Sequence, residues 1–137
     1  MVTKSLSIGL GLFLIVMGIK KISGNLIVFE LIEIYTGLKH ADPAGRWITA
    51  LLEIIAGSLL LTGKRVWGGT LAMTILVMAL LFHVSVIGVF APNSTAENAP
   101  KSPILFSLAL IAFIIASYIT VREYLDENPH FLTLGVE

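Results

Sequence analysis

Four apolar stretches of this chain are each long enough to cross a lipid bilayer as a helix. They limit the possible folds of the chain more than any other feature. A spanning helix needs about 20 mostly apolar residues, and a helix pairs its own backbone polar groups where no water is present. Only 13% of the 137 residues are charged, against about 25% in soluble domains. The sequence therefore predicts a single all-α domain, an integral membrane four-helix bundle over residues 1–137, with helices at about 5–21, 45–62, 66–90 and 103–121.

A shorter apolar segment, residues 25–38, separates the first two predicted spans and carries Glu30 and Glu33. It is too short and too acidic to span the bilayer, so it is predicted to form a short interfacial helix. The last residues, 122–137, are predicted to be a polar tail.

The even number of spans places both termini on the same side of the membrane. The nine basic residues divide almost equally between the two faces, so the positive-inside rule does not decide the orientation. We expect both termini to lie in the cytoplasm.

Several function classes are disfavoured by composition. The chain has no cysteine and a net charge of zero, which excludes thiol redox chemistry and thiolate metal sites and gives no indication of nucleic-acid binding. The spans contain one histidine, His83, whereas a haem held between helices usually needs two axial ligands. No metal site is predicted, and any redox-active group would belong to a cofactor or a partner.

Two ionisable residues, Glu53 and His83, fall inside predicted spans at matching depth. Glu53 follows Trp47 by six residues and His83 precedes Phe90 by seven, which places them roughly 9 and 10 Å below the same face at 1.5 Å per residue. The first helix ends at this face with Lys20 and Lys21, and Ser107 follows the start of the fourth helix. The sequence predicts a pocket open to this face, with a ligand-binding set of Glu53, His83, Lys21, Lys20 and Ser107.

Each of these residues also has a structural interpretation. A carboxylate at the bilayer centre is costly, so Glu53 should be paired, protonated or used in function. It could form a buried pair with Lys20, Lys21 or His83 that fixes helix register, or lie protonated against lipid. His83 could be a polar tip near the interface, and at least one of the two lysines could extend its charge to the membrane surface. The sequence leaves these alternatives open.

Three segments together resemble the DoxX-like family of small bacterial membrane proteins: "FLIVMGIKKISG" at 13–24, "YTGLKHADPAGRWITALLEIIAGSLLLTGKR" at 35–65 and "LAMTILVMALLFH" at 71–83. The matching polar residues are Lys21 and Glu53, and His83 ends the third segment. The resemblance implies a four-helix bundle in a bacterial cytoplasmic (inner) membrane. Members of the family are linked to quinone-coupled sulfur oxidation and to membrane complexes that handle oxidative stress alongside thiol enzymes.

Three functions follow as expectations. The first is an accessory membrane subunit that binds a quinone or a similar lipid-soluble ligand, or docks a redox partner, through hydrogen bonds from Glu53, His83 and Lys21. The second is a non-catalytic assembly or scaffold subunit in which Glu53 pairs with a helix of its own chain or of a partner. The third is a small-molecule transporter. Expected partners are the lipid bilayer and other membrane subunits or further copies of the chain, and a stand-alone enzyme is not expected.

Overall fold

The computed structural model describes residues 2–24 and 27–129, and these form an all-α bundle. Four helical segments, Val2–Ile22, Ala41–Leu61, Arg65–Ile87 and Ile104–Glu127, are long and apolar enough to cross a membrane. The predicted all-α fold is confirmed, and the chain is a multi-pass membrane protein. The α-helices within the described ranges are α1 (Val2–Ile22), α2 (Val28–Thr36), α3 (Arg46–Leu61), α4 (Arg65–Phe82) and α5 (Ile104–Glu127).

The four long helices form a ring in which α1 packs on α3, α3 on α4, α4 on α5, and α5 less extensively on α1. At one end, α3 and α4 are joined by a short turn at residues 62–64. The opposite end carries the two longer connections, residues 23–45 and 88–103, and we call it the loop end. A short antiparallel ladder in the second connection pairs Ala91–Pro92 (β1) with Lys101–Ser102 (β2).

Two helices end at positions that differ from those predicted. The α5 helix continues to Glu127, whereas apolarity alone predicted an end near residue 121. The extension is polar and carries an Arg122–Asp126 pair one turn apart, with 3.7 Å between Nη2 and Oδ1, an arrangement that supports a solvated helix end. The first part of the predicted polar tail is therefore helical, and residues 130–137 lie outside the described residues.

The α4 helix changes character before its predicted end at residue 90. Its regular hydrogen bonding stops at Phe82, and a single π-helical turn, His83–Ile87, follows. Gly88 then ends the helix with a φ of +91°, which glycine adopts without the steric penalty that other residues meet. His83 therefore lies where one helical geometry passes into another.

Close contact between α1 and α3 depends on glycine. A Cβ added at Gly57 would lie 2.6 Å from the backbone oxygen of Gly11, and one added at Gly18 would lie 2.7 Å from the backbone oxygen of Ala50. Small residues at such crossings let helix backbones approach in membranes, where dispersion contacts replace the hydrophobic effect as the main attraction between helices. This seam fixes the position of α1 relative to α3.

Apolar side chains fill the centre of the bundle and also cover much of its outer surface. The core cluster draws residues from all four long helices, including Leu14, Leu60, Leu76 and Ile119. Many large apolar side chains on the same helices are exposed, among them Trp67 at 74%. In a membrane these outer faces contact lipid, and an indole near a helix end is a common interfacial anchor.

The α2 helix lies across the loop end and packs through its own small apolar cluster. Leu31 and Ile32 are buried there against Ala41, Ile87 and Ala91. The opposite side of α2 exposes Ile34 and Tyr35. An apolar outer surface on a short helix at this end agrees with a position in the membrane interface.

An ion pair joins α4 to α5 at the end remote from α2, with 2.9 Å between Arg65 Nη1 and Glu123 Oε1. Because both side chains remain partly solvated, we expect Arg65→Gln to lower the free energy of unfolding by only about 0.2–1 kcal/mol. Thermal unfolding in detergent checks this value. Arg122→Gln is the matched control, since Arg122 is largely exposed. A loss above about 2 kcal/mol for Arg65→Gln would contradict this estimate.

Candidate functional site

A cavity of about 300 Å³ lies inside the loop-end half of the bundle, and all five helices contribute to its wall. The wall is mostly apolar, with side chains such as Phe13, Met17, Leu52, Phe82 and Leu105. Its ionisable residues are Lys21 from α1, Glu53 from α3 and His83 from the end of α4. Three residues proposed from the sequence thus meet at one site, although they lie on three different helices.

The α2 helix covers the cavity at the loop end. Phe29 and Ile32 line the wall from this helix, and Ile32 is buried. The connection that follows α2 is held in place by two polar contacts. Glu33 Oε2 accepts a hydrogen bond from the backbone N–H of Asp42 at 3.2 Å, and Asp42 Oδ1 lies 2.8 Å from Nε of Arg46.

Part of the cavity wall is formed by side chains that are also exposed on the side of the bundle. The exposed side chains in its wall are Thr74, Met78 and Leu108, of which Met78 is 49% and Leu108 38% exposed. All three lie within the spanning segments of α4 and α5. The exposed part of the wall therefore faces lipid.

Lys21 and Glu53 form an ion pair across the α1–α3 seam. Lys21 Nζ donates a hydrogen bond to Glu53 Oε1, and the side-chain exposures are 13% for Lys21 and 6% for Glu53. The ammonium also lies over the ring of Phe29, 5.9 Å from its centroid, within the range of a cation–π contact. The pair satisfies one carboxylate oxygen and neutralises both charges inside the bundle.

The second carboxylate oxygen of Glu53 has no such partner. Glu53 Oε2 is buried and accepts no hydrogen bond from any residue that the structure describes. Leaving a buried polar group unsatisfied costs about 1–3 kcal/mol, and more for a charged group. An atom of this kind in a cavity wall is a candidate ligand contact.

His83 is buried at 4% exposure and presents one ring nitrogen in the same way. Its Nδ1 lies 2.9 Å from the backbone oxygen of Ala79, one turn earlier in α4. Its Nε2 is buried and has no hydrogen-bond partner among the described residues. The ring lies 6.1 Å from that of Phe106, centroid to centroid, at an interplanar angle of 50°. Helical turns of the π type are frequent at functional sites.

Lys20 and Ser107, the other two residues proposed from the sequence, do not line the cavity. Lys20 is exposed, since it lies about 100° around α1 from Lys21. Ser107 is exposed as well, and the residues of α5 that line the cavity are Leu105, Leu108 and Ala109. Both residues lie at the loop end of their helices, as predicted, but on helix faces that do not line the cavity.

Sequence reasoning missed the aromatic and hydroxyl residues of the wall. Phe29 and Thr49 line the cavity, and neither was proposed. The spacing of Phe29 and Ile32, three residues apart on α2, is typical of one face of a short amphipathic helix. This spacing indicates that one face of α2 packs against the bundle.

Comparison with known proteins gives no relative for this chain: no protein-family model, curated protein or solved structure matches it. Within residues 2–24 and 27–129, no group of three or more histidine, aspartate and glutamate side chains is placed to hold a metal ion. The chemistry that the wall offers is hydrogen bonding and charge pairing in apolar surroundings.

Proposed function

We propose that this protein binds a lipid-soluble ligand with a polar head, such as a quinone in its oxidised or reduced form, in the loop-end cavity, as an accessory subunit of a membrane redox complex. One observation carries the binding proposal. Glu53 Oε2 and His83 Nε2 are both buried and unpartnered, and both belong to the wall of one apolar cavity. A ligand that hydrogen-bonds these atoms would remove the free-energy cost of leaving them unsatisfied.

The shape and polarity of the cavity support this class of ligand. Ligand pockets are typically about 300–1,000 Å³, mainly apolar, and carry a few placed polar groups. This cavity has about 300 Å³, three ionisable side chains and a wall that reaches the lipid-facing side of the bundle. A quinone ring with a hydrocarbon tail extending into the bilayer has matching dimensions and polarity.

The redox role is proposed from the sequence. The segments that carry Lys21 and Glu53 resemble the DoxX-like family, whose members are linked to quinone-coupled oxidation, and the chain has no cysteine of its own. We therefore propose that the ligand or a partner subunit carries the electrons. The proposed location is a bacterial cytoplasmic membrane, with both termini on the cytoplasmic side.

A scaffold function is the second candidate, and the Lys21–Glu53 pair supports it. Glu53 finds its counter-ion within its own chain, so the pair can fix α1 against α3 with no ligand at all. Buried polar pairs of this kind specify helix register in some proteins. This alternative does not explain why the second oxygen of Glu53 and Nε2 of His83 share an apolar cavity.

Extraction of the purified protein tests the binding proposal. We expect the wild type, purified from membranes in mild detergent, to retain a quinone or comparable lipid-soluble molecule detectable by mass spectrometry. His83→Phe removes Nε2 while keeping a ring against Phe106, and we expect it to reduce the retained ligand about tenfold or more. Ser85→Ala is the matched control, since Ser85 is exposed and its hydroxyl donates to the backbone oxygen of Leu81.

The scaffold alternative predicts a different result. If neither the wild type nor the variants retain such a molecule and all three fold equally well, the binding proposal fails. Equal retention in the wild type and in His83→Phe would instead show that His83 does not contribute to ligand binding.

A further inference from the structure

The positions of the polar hydrogens in the cavity wall determine whether its unpartnered atoms donate or accept hydrogen bonds. At His83, Nδ1 faces the backbone oxygen of Ala79 at 2.9 Å. A carbonyl oxygen can only accept, so Nδ1 carries the hydrogen, and in neutral imidazole Nε2 then carries a lone pair. In this neutral form, the unpartnered Nε2 of His83 is an acceptor.

Glu53 presents an acceptor as well. Its carboxylate is paired with the ammonium of Lys21 through Oε1, and an ionised carboxylate has no hydrogen to donate. The unpartnered Oε2 of Glu53 therefore requires a donor.

The two hydroxyl groups of the wall direct their hydrogens elsewhere. The hydroxyl of Thr49 lies 3.0 Å from the backbone oxygen of Gly45 and 3.1 Å from that of Arg46, and the hydroxyl of Thr74 donates to the backbone oxygen of Thr70 at 3.0 Å. The ammonium of Lys21 donates one hydrogen to Glu53 and lies over the ring of Phe29, which leaves hydrogens that a ligand oxygen can accept. The two unsatisfied atoms of the wall are thus both acceptors.

The net charge of the cavity wall reduces the range of suitable ligands further. The Lys21–Glu53 pair is neutral as a unit, and His83 in its neutral form adds no charge. A cationic amine would supply donors, but it would bring an uncompensated charge into an apolar cavity, and burying such a charge is strongly unfavourable. A neutral hydroxyl group supplies a donor without that penalty.

We propose that the cavity selects a neutral, lipid-soluble hydroxyl donor, so that of a quinone and its quinol it binds the quinol, with hydroxyl groups donating to Glu53 Oε2 and His83 Nε2. This inference rests on the proposed binding function and specifies which chemical form of the ligand is held. A quinone carbonyl offers these two atoms only lone pairs. In the redox setting proposed above, the protein would hold the reduced carrier.

The test compares three molecules that share one ring and one tail. The protein in nanodiscs of phosphatidylethanolamine and phosphatidylglycerol is incubated anaerobically, in separate samples, with a short-chain ubiquinol, the corresponding ubiquinone and the O,O-dimethyl ether of the quinol. The probe retained after nanodisc purification is quantified by mass spectrometry against protein-free nanodiscs. We expect at least about tenfold more retained quinol than quinone or ether, because only the quinol satisfies the two acceptors.

Two variants test whether the preference for quinol arises in this cavity. His83→Phe is expected to reduce quinol retention towards that of the quinone, whereas Ser85→Ala should keep the wild-type preference. Equal or greater retention of the quinone, lost in His83→Phe, would overturn the donor inference and leave the binding proposal standing. Retention of none of the three probes above protein-free nanodiscs would count against the binding proposal itself.

Discussion

Replacing Lys21 by methionine is expected to destabilise the protein by about 3–5 kcal/mol, because it leaves the carboxylate of Glu53 buried without its counter-ion. Glu53 is only 4% exposed, and Lys21 Nζ is its hydrogen-bond donor in the described structure. Methionine keeps most of the length and apolar volume of the lysine stem, so the measured change reports mainly the lost charge. Unfolding titrated with dodecyl sulfate in mixed micelles gives the free-energy difference.

Two further variants isolate the pairing contribution. Lys20→Met removes a neighbouring positive charge from an exposed position of the same helix, and we expect it to change stability by less than about 0.5 kcal/mol. The double variant Lys21→Met/Glu53→Gln removes both charges, and we expect it to recover most of the loss, since uncharged replacements of buried ion pairs are often neutral. Equal effects of Lys20→Met and Lys21→Met would contradict the structural importance of the pair.

The second large effect is expected at Gly57, where alanine should destabilise the protein by about 1–3 kcal/mol through overpacking. The added Cβ would lie 2.6 Å from the backbone oxygen of Gly11 and 2.8 Å from Cγ1 of Ile15. A backbone oxygen cannot rotate away, so α1 would have to move away from α3. Unfolding in the same mixed micelles measures this loss.

Gly9→Ala is the control, and its expected effect on stability has the opposite sign. Gly9 lies in the same kind of apolar helix, but a Cβ added there meets nothing within 4 Å. Alanine is the better helix former by about 0.8–1.0 kcal/mol in water, so Gly9→Ala should be neutral or slightly stabilising. If both variants behaved alike, the effect at Gly57 would reflect helix propensity and not the α1–α3 seam.

The spans were predictable because apolar length alone determines them, and the structure has four segments of that kind. Where α5 ends was not predictable on that basis. Apolarity stops near residue 121, whereas the hydrogen bonding of the helix continues to Glu127 through polar residues that favour helix. Likewise, the π-helical turn at His83–Ile87 leaves no mark in hydropathy.

Depth along the helices brought Glu53, His83 and Lys21 to the same half of the bundle, and these three residues line one cavity. The same reasoning could not exclude Lys20 or Ser107, because it contains no information about helix face. In a soluble protein, polarity separates the inner face from the outer face. In a membrane, both faces are apolar, so the inward side of α1 and α5 could not be determined from sequence. The role of all five residues in ligand binding stays a prediction.

The lipid-facing residues in the cavity wall determine the concentration scale on which a ligand would be bound. The exposed part of its wall lies at Met78 and Leu108 within the spans, and α2 covers the loop end. A hydrophobic ligand would therefore reach the cavity from the bilayer, where its mole fraction in lipid far exceeds its aqueous concentration. Occupancy would follow the ratio of ligand to lipid, so adding phospholipid at constant total ligand would dilute the ligand and empty the cavity.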